Sequence, residues 1–216
     1  KLLNGDCPKE SCGWCEGRWK MEPIFTLPYP EHVIAEELNK YFPKKEGYSI
    51  LIPLSRQQKG FDIILYNIKT KKVITIQVKS SRTYEGNPNK KRSKYPERKF
   101  YTWFNTFKIE KGSADCYILF GVYKKYPYMK KLDKSRKISK WYSHIFLIFN
   151  EEEMSKFLSE IKTKKGNKQD SKFSFGFDNE KEVFLTRGAS NQPNISQFLF
   201  KNKLKEIKER INNGTS

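Results

Sequence analysis

Three polar residues interrupt an apolar segment at a spacing that could support chemistry. The segment FDIILYNIKTKKVITIQVKSSR, residues 61–82, has two apolar runs that flank a polar turn. Asp62, Gln77 and Lys79 stand where a core-forming strand normally carries an apolar side chain. A carboxylate and an amide oxygen, helped by a backbone carbonyl, are the hard ligands that Mg²⁺ prefers. The ammonium of Lys79 is then placed to hold a water molecule or to stabilise developing negative charge.

Together these groups fit the hydrolysis of a phosphodiester. A bound Mg²⁺ neutralises the phosphate and lowers the pKa of a water molecule that it holds. The alternative is a hairpin whose polar residues simply face solvent, as they do in many antiparallel sheets. Which interpretation holds depends on whether the three side chains meet.

The polar turn NIKTKK predicts the register that would bring them together. If the turn is centred between residues 69 and 70, Asp62 lies directly opposite Gln77. Opposed residues of an antiparallel pair have Cβ atoms about 4.5–5.5 Å apart. Because side chains alternate along a strand, Gln77 and Lys79 share one face of the sheet, and the apolar residues between them point to the other.

The surrounding elements predict the fold that must position this hairpin. A helix is expected at 30–42, where PEHVIAEELNKYF begins with Pro and has apolar residues at three- to four-residue spacing. Strands are expected at 47–54, 61–67, 72–80, 100–107, 114–123 and 143–150, with helices at 151–163 and 195–211. A long basic loop, SSRTYEGNPNKKRSKYPERK, is expected after the third strand. This order predicts an α+β or α/β fold with a mixed central β-sheet flanked by helices.

The chain divides into three expected segments. A Cys-rich N-terminal extension covers 1–20, a core covers 21–165, and a basic C-terminal extension packed on that core covers 166–216. The tail between the core and the last helix is expected to be less regular than the rest.

The helix–strand–strand–strand order, with an acid heading the second strand and Gln-x-Lys in the third, resembles the PD-(D/E)XK nuclease superfamily. The resemblance covers about residues 30–80, and its matched positions are Asp62, Gln77 and Lys79. Gln77 replaces the usual acid, a variant that the family contains, and Phe61 stands where the family name places Pro. The resemblance implies a restriction-endonuclease-like fold and a Mg²⁺-dependent endodeoxyribonuclease. In it Asp62 and Gln77 would hold the metal, and Lys79 would position water.

The same family often carries a glutamate on its first helix that reaches toward the metal. Of the candidates Glu31, Glu36 and Glu37, Glu31 lies in line with the apolar stripe of the helix and is the one we expect to assist catalysis. The alternative is an acid that serves the positive N-terminal end of the helix. Because Gln77 is uncharged, we expect a single, weakly bound metal ion, and a fold that only binds stays open as an alternative.

Charge points to a polyanionic partner. The chain has 43 Lys and Arg against 24 Asp and Glu, a formal charge of +19. Such an excess attracts nucleic acid, although a compositional bias toward lysine is the alternative. The residues expected to contact double-stranded DNA are Arg56, Gln57, Gln58, Lys59, Ser80, Ser81, Arg82, Lys90, Lys91, Arg92 and Lys94.

Cys7, Cys12 and Cys15 have the spacing of a zinc knuckle, so they are candidate ligands of a structural Zn²⁺. A tetrahedral site needs a fourth ligand, and His32 or a residue outside the sequence could supply it. Simple reduced thiols are the alternative. Cys116 lies in an apolar strand and is expected to be a buried core residue.

The sequence as a whole favours a type II restriction-like enzyme that acts as a homodimer, since cutting both strands usually takes two active sites. A structure-selective repair or Holliday-junction-type nuclease is the alternative within the enzyme class. A non-catalytic nucleic-acid-binding protein on the same fold and a basic RNA-associated factor are the alternatives outside it. No apolar run approaches the ~20 residues of a membrane-spanning helix, so no membrane contact and a cytoplasmic, prokaryotic-type location are expected.

Overall fold

A computed structural model of the chain describes residues 29–53, 60–86, 98–124, 142–163 and 168–213. The helices are α1 (Tyr29–Tyr41), α2 (Glu151–Glu160) and α3 (Phe200–Asn213). The strands are β1 (Tyr48–Leu51), β2 (Ile63–Asn67), β3 (Lys72–Glu85), β4 (Phe100–Asn105), β5 (Cys116–Lys124), β6 (Tyr142–Asn150), β7 (Lys172–Asn179) and β8 (Glu182–Arg187). Short 3-10 turns occur at Lys44–Glu46 and Ser196–Phe198.

The long strand β3 belongs to two sheets. Its first part pairs antiparallel with β2, and residues 76–82 pair parallel with β5. Its last residues pair antiparallel with β4. The first sheet is therefore β1–β2–β3–β5–β6, and the second is β3–β4–β7–β8. The predicted mixed sheet flanked by helices is confirmed.

Two hydrophobic clusters hold the layers together. The first joins the inward side chains of β5 and β6 to those of β4, β7, β8 and α2. The second joins the opposite face of the first sheet to α1 and α3. Strand β5 is buried on both faces, so Tyr117 and Leu119 enter the first cluster while Ile118 and Phe120 enter the second. Burial on both faces explains why this strand is almost continuously apolar.

The structure differs from the sequence prediction in two places. Residues 81–85 continue β3, although a loop was expected there, because the parallel pairing with β5 and then the pairing with β4 extend the strand. The expectation of a less regular tail is also wrong. Residues 172–187 form β7 and β8, and Phe173, Phe175 and Phe177 of β7 are fully buried.

The division of the chain at residues 165 and 166 stays a prediction, and the Cys-rich segment 1–20 lies outside the described residues. Strand β7 contributes to the first cluster and helix α3 to the second. Within the described ranges, no helix combines the length and apolar character that crossing a membrane requires.

Candidate functional site

The β2–β3 hairpin has the register that the turn predicted. Ile63 pairs with Ile76, and the pairing runs to Asn67 opposite Lys72. The strand pairing begins with Ile63 opposite Ile76. The backbone N–H of Asp62 also donates to the carbonyl of Ile76, at 2.8 Å, so the regular register ends there and the Asp62–Gln77 pair stays a prediction.

The carboxylate of Asp62 lies against the edge of β3. Its Oδ2 accepts a hydrogen bond from the backbone N–H of Val78 at 2.7 Å. Because β2 begins at Ile63, no residue of β2 pairs with Val78. The Asp62 carboxylate therefore accepts the hydrogen bond that a backbone carbonyl would accept in a longer strand. This bond fixes the acid beside the peptide that links Gln77 to Lys79.

Gln77 and Lys79 lie on one face of β3. Each is half-buried, whereas Ile76 and Val78, between and beside them, are buried in the second cluster on the opposite face. The hydrogen bond from the Val78 amide places the Asp62 carboxylate beside the backbone between Gln77 and Lys79. The meeting of the three side chains stays a prediction.

Phe107 adds a contact that sequence reasoning missed. The Nζ atom of Lys79 lies 5.3 Å from the centroid of the Phe107 ring, a cation–π distance. Phe107 in turn stacks on Tyr117 with ring centroids 6.4 Å apart. The ring therefore holds the ammonium over the first cluster. Nothing in the spacing of the sequence links Lys79 to Phe107, so only tertiary structure reveals the contact.

The chain enters β2 through a close approach that requires glycine. Gly60 has φ +103°, and a Cβ there would lie 2.9 Å from the carbonyl oxygen of Ser113. The hydroxyl groups of Ser113 and Tyr117 are 3.0 Å apart and share a hydrogen bond. Burial raises the pKa of Tyr117, so its phenol stays protonated. Through these contacts, the segment that leads to Asp62 packs against Ser113, and Ser113 is hydrogen-bonded to Tyr117 of β5.

Glu31 belongs to the helix on the other side of the sheet from Gln77 and Lys79. It is half-buried in the first turn of α1, and its Oε2 atom is buried. The ring of Tyr29 contacts Phe120 edge-on at 6.5 Å between centroids, and Phe120 pairs with Ser80. The N-terminal end of α1 therefore lies near the part of the sheet that contains Ser80. Helix α1 covers the apolar face of the sheet that belongs to the second cluster.

The other two glutamates of α1 have partners on the helix surface. Glu36 lies 3.3 Å from the Nε2 atom of His32, and both side chains are well exposed. Glu37 forms an ion pair with Lys40. Neither arrangement directs a carboxylate to the hairpin. The assisting role of Glu31 stays a prediction, because α1 packs on the face of the sheet opposite to Gln77 and Lys79.

The donor atoms at the hairpin fit Mg²⁺ held by few protein ligands. Oδ2 of Asp62 is used by the Val78 amide, and no described residue donates a hydrogen bond to Oδ1. The described residues contain no group of three or more His, Cys, Asp and Glu that could hold a metal ion. One carboxylate and the amide oxygen of Gln77 are compatible with Mg²⁺, which usually keeps several waters and takes one or two carboxylates together with phosphate oxygens.

The other predicted site residues fall into two groups. Ser80, Ser81 and Arg82 continue β3 beyond Lys79, and Ser80 and Arg82 are exposed. Outside the described residues lie Arg56, Gln57, Gln58, Lys59, Lys90, Lys91, Arg92, Lys94, Cys7, Cys12 and Cys15. Cys116 is buried as expected, and burial raises the pKa of its thiol to about 12.

Comparison with known proteins gives one distant structural neighbour. No family model matches the chain. No curated protein matches it either. The solved structure of a bacterial homing endonuclease, I-Ssp6803I, is similar at a TM-score of 0.42 with 12% sequence identity. The similarity covers 86% of this chain and 97% of the endonuclease. A likeness of this degree does not assign an activity, so the proposal below rests on the hairpin.

Proposed function

We propose that the chain is a Mg²⁺-dependent DNA endonuclease of the restriction-like type. The observation that supports it is the hydrogen bond from the Val78 amide to the Asp62 carboxylate at the open end of the β2–β3 hairpin. Val78 lies between Gln77 and Lys79, which share one face of β3. A hairpin whose polar residues merely faced solvent would not need the half-buried Phe107–Lys79 contact or the fixed carboxylate.

In this proposal each residue has a distinct role. Asp62 and Gln77 hold the metal through oxygen atoms, and the bound ion supplies charge neutralisation and a more acidic water. Lys79, steadied by Phe107, donates hydrogen bonds to the attacking water or to a phosphate oxygen that gains negative charge. Glu31 assists from the side of α1. Phe107 acts only through Lys79, so it is a positioning residue.

The substrate follows from the charge. A formal charge of +19 favours binding to a polyanion, and such binding weakens as salt is added. We propose double-stranded DNA as the substrate and a homodimer as the active form, with one hairpin for each strand. Two alternatives remain. The protein could be a nuclease selective for branched or damaged DNA, or it could bind nucleic acid without cutting it. Plasmid digestion distinguishes both from a restriction-like endonuclease.

Plasmid digestion is the direct test. Supercoiled plasmid incubated with the protein and Mg²⁺ should be nicked and then linearised, and EDTA should prevent both steps. Sequencing of the ends distinguishes a site-specific enzyme, which gives discrete fragments, from a nuclease that selects branched substrates. Asp62→Ala should bind plasmid without cutting it. Mg²⁺-dependent cleavage that persists in Asp62→Ala would contradict the proposal.

Replacing Gln77 with glutamate should make the site bind Mg²⁺ more tightly. The substitution adds a second carboxylate to the proposed site, and the affinity of such sites rises with the number of charged ligands. We expect the Mg²⁺ concentration at half-maximal cleavage to fall roughly tenfold, measured by titration of the initial rate. Gln77→Leu, which has a similar length but no oxygen, is the matched control and should raise that concentration. An equal response of both variants would place the metal elsewhere.

A further inference from the structure

The outer face of the second sheet presents aromatic rings to solvent. On β4, Phe100 and Phe104 are buried, whereas Trp103 is 39% exposed. On β3, Tyr84 is 58% exposed and is directly opposite Tyr101 of β4. Strand alternation therefore places Tyr84, Tyr101 and Trp103 together on one face, which we call the outer aromatic face. Large rings at such exposure contribute little to the core, so their placement calls for another explanation.

Cations surround these rings. The guanidinium of Arg187 lies over Trp103 at 5.6 Å from the ring centroid. It is held there by two hydrogen bonds to Asp170, at 2.9 and 3.0 Å. On the neighbouring strand, Ser174 is the small residue opposite Trp103, so no bulky neighbour covers the indole from that position. The ring is thus held in place while part of it stays open to solvent.

Two further cations extend the face at its margins. Arg82 lies two residues before Tyr84 and is exposed on the same side of β3. Lys172 is exposed and stands opposite Asn105 at the end of β4. Aromatic rings that stack on bases, combined with cations that track a phosphate backbone, form the typical surface for unpaired nucleic acid.

We propose that the outer aromatic face binds an unpaired segment of nucleic acid. Tyr84 and Trp103 stack on bases, and Arg82 and Lys172 neutralise phosphates. Local charge favours this occupant over a second copy of the same face, because a polyanion neutralises Arg82 and Lys172, whereas a symmetric contact would bring these cations against each other. Unpaired rather than duplex nucleic acid is specified because neighbouring base pairs cover the ring faces of a base stacked inside a duplex.

The face stands apart from the hairpin site, although β3 carries both. Tyr84 follows Lys79 by five residues, and at about 3.3 Å per residue the two are roughly 17 Å apart. An odd separation along a strand also puts them on opposite faces. Binding here needs neither Mg²⁺ nor Asp62, so this inference goes beyond the proposed cleavage reaction and can be tested without it.

The test measures binding in EDTA with labelled oligonucleotides. Fluorescence anisotropy would give the affinity of the full chain for a single strand and for the duplex of the same sequence. Trp103→Ala and Tyr84→Ala should each weaken single-strand binding about 5- to 150-fold and change duplex binding less than twofold. Trp103→Phe should retain most of the affinity, because it keeps a ring. Val73→Ala, at a residue that is 49% exposed near the other end of β3, is the control and should leave both affinities unchanged.

Near-ultraviolet circular dichroism and thermal melting establish that each variant is folded. Unchanged single-strand affinity in folded Trp103→Ala and Tyr84→Ala would overturn the inference. A concentration-dependent dimer that Trp103→Ala abolishes, with no effect on oligonucleotides, would overturn it too and would assign the face to a second copy. Intact single-strand binding in a chain that cuts no DNA would instead count against the proposed endonuclease.

Discussion

Replacing Lys79 with alanine should lower the rate of plasmid cleavage about 10²–10³-fold while leaving the affinity for DNA in EDTA nearly unchanged. The ammonium lies on the same face as Gln77, one residue beyond the amide that Asp62 accepts, and Phe107 holds it there. Its effect should therefore appear in the chemical step, where negative charge develops, rather than in binding. Single-turnover cleavage measures the rate of the chemical step, and filter binding in EDTA measures the affinity for DNA.

Lys72→Ala is the matched control for this experiment. Lys72 is also on β3, at the turn end of the hairpin and opposite Asn67, so the substitution removes the same charge from the same strand. Both variants should lose a similar, small part of the salt-dependent affinity. Only Lys79→Ala should lose cleavage. If the two variants cut equally well, the hairpin site is not where the reaction occurs.

Replacing Phe175 with alanine should cost about 3–5 kcal/mol of the free energy of unfolding. Phe175 is fully buried on β7, where its ring stacks on Phe104 at 5.5 Å and packs against Phe177 at 6.4 Å. Removing the ring leaves a cavity at the junction of β4 and β7. Urea titration followed by tryptophan fluorescence measures the loss, through a lower midpoint at an unchanged slope.

Tyr84→Ala is the aromatic control, because it removes a ring of similar size from a position that is 58% exposed. Its expected change is within about 0.5 kcal/mol, the range for surface substitutions. A small effect of Phe175→Ala would mean that the second sheet unfolds separately from the first. The shared cluster of β4 to β8 and α2 predicts the opposite, a single cooperative transition.

The hairpin was predictable because its determinants are local. A six-residue polar turn and the residues on either side of it are enough to set the register, which runs from Asn67 opposite Lys72 to Ile63 opposite Ile76. The position of Lys79 then follows from strand alternation alone. By contrast, the contact between Phe107 and Lys79 depends on how the segment after β4 folds back over β3. Neither the spacing of apolar residues nor the residues of a turn can predict such a long-range contact.

The second sheet was missed for a related reason. The sequence KFSFGFDN of β7 alternates, but its partner β4 lies far earlier in the chain, and polar residues on both sides made the region resemble a tail. The end of β3 was misread because Ser80, Arg82 and Glu85 are polar. Their polarity shows that β3 leaves the helix-covered face of the core there, whereas its backbone pairing continues with β5 and β4.

The continuity of β3 through both sheets has a mechanical consequence. Residues 76–82 pair with β5 in the first sheet and residues 83–85 pair with β4 in the second, so a rotation of one sheet against the other must twist the backbone between Arg82 and Thr83. Lys79 pairs with Leu119 and is held in the first sheet, to which Asp62 is also bonded. Such a rotation therefore leaves the acid and the ammonium in place and changes only the angle between the hairpin site and the outer aromatic face.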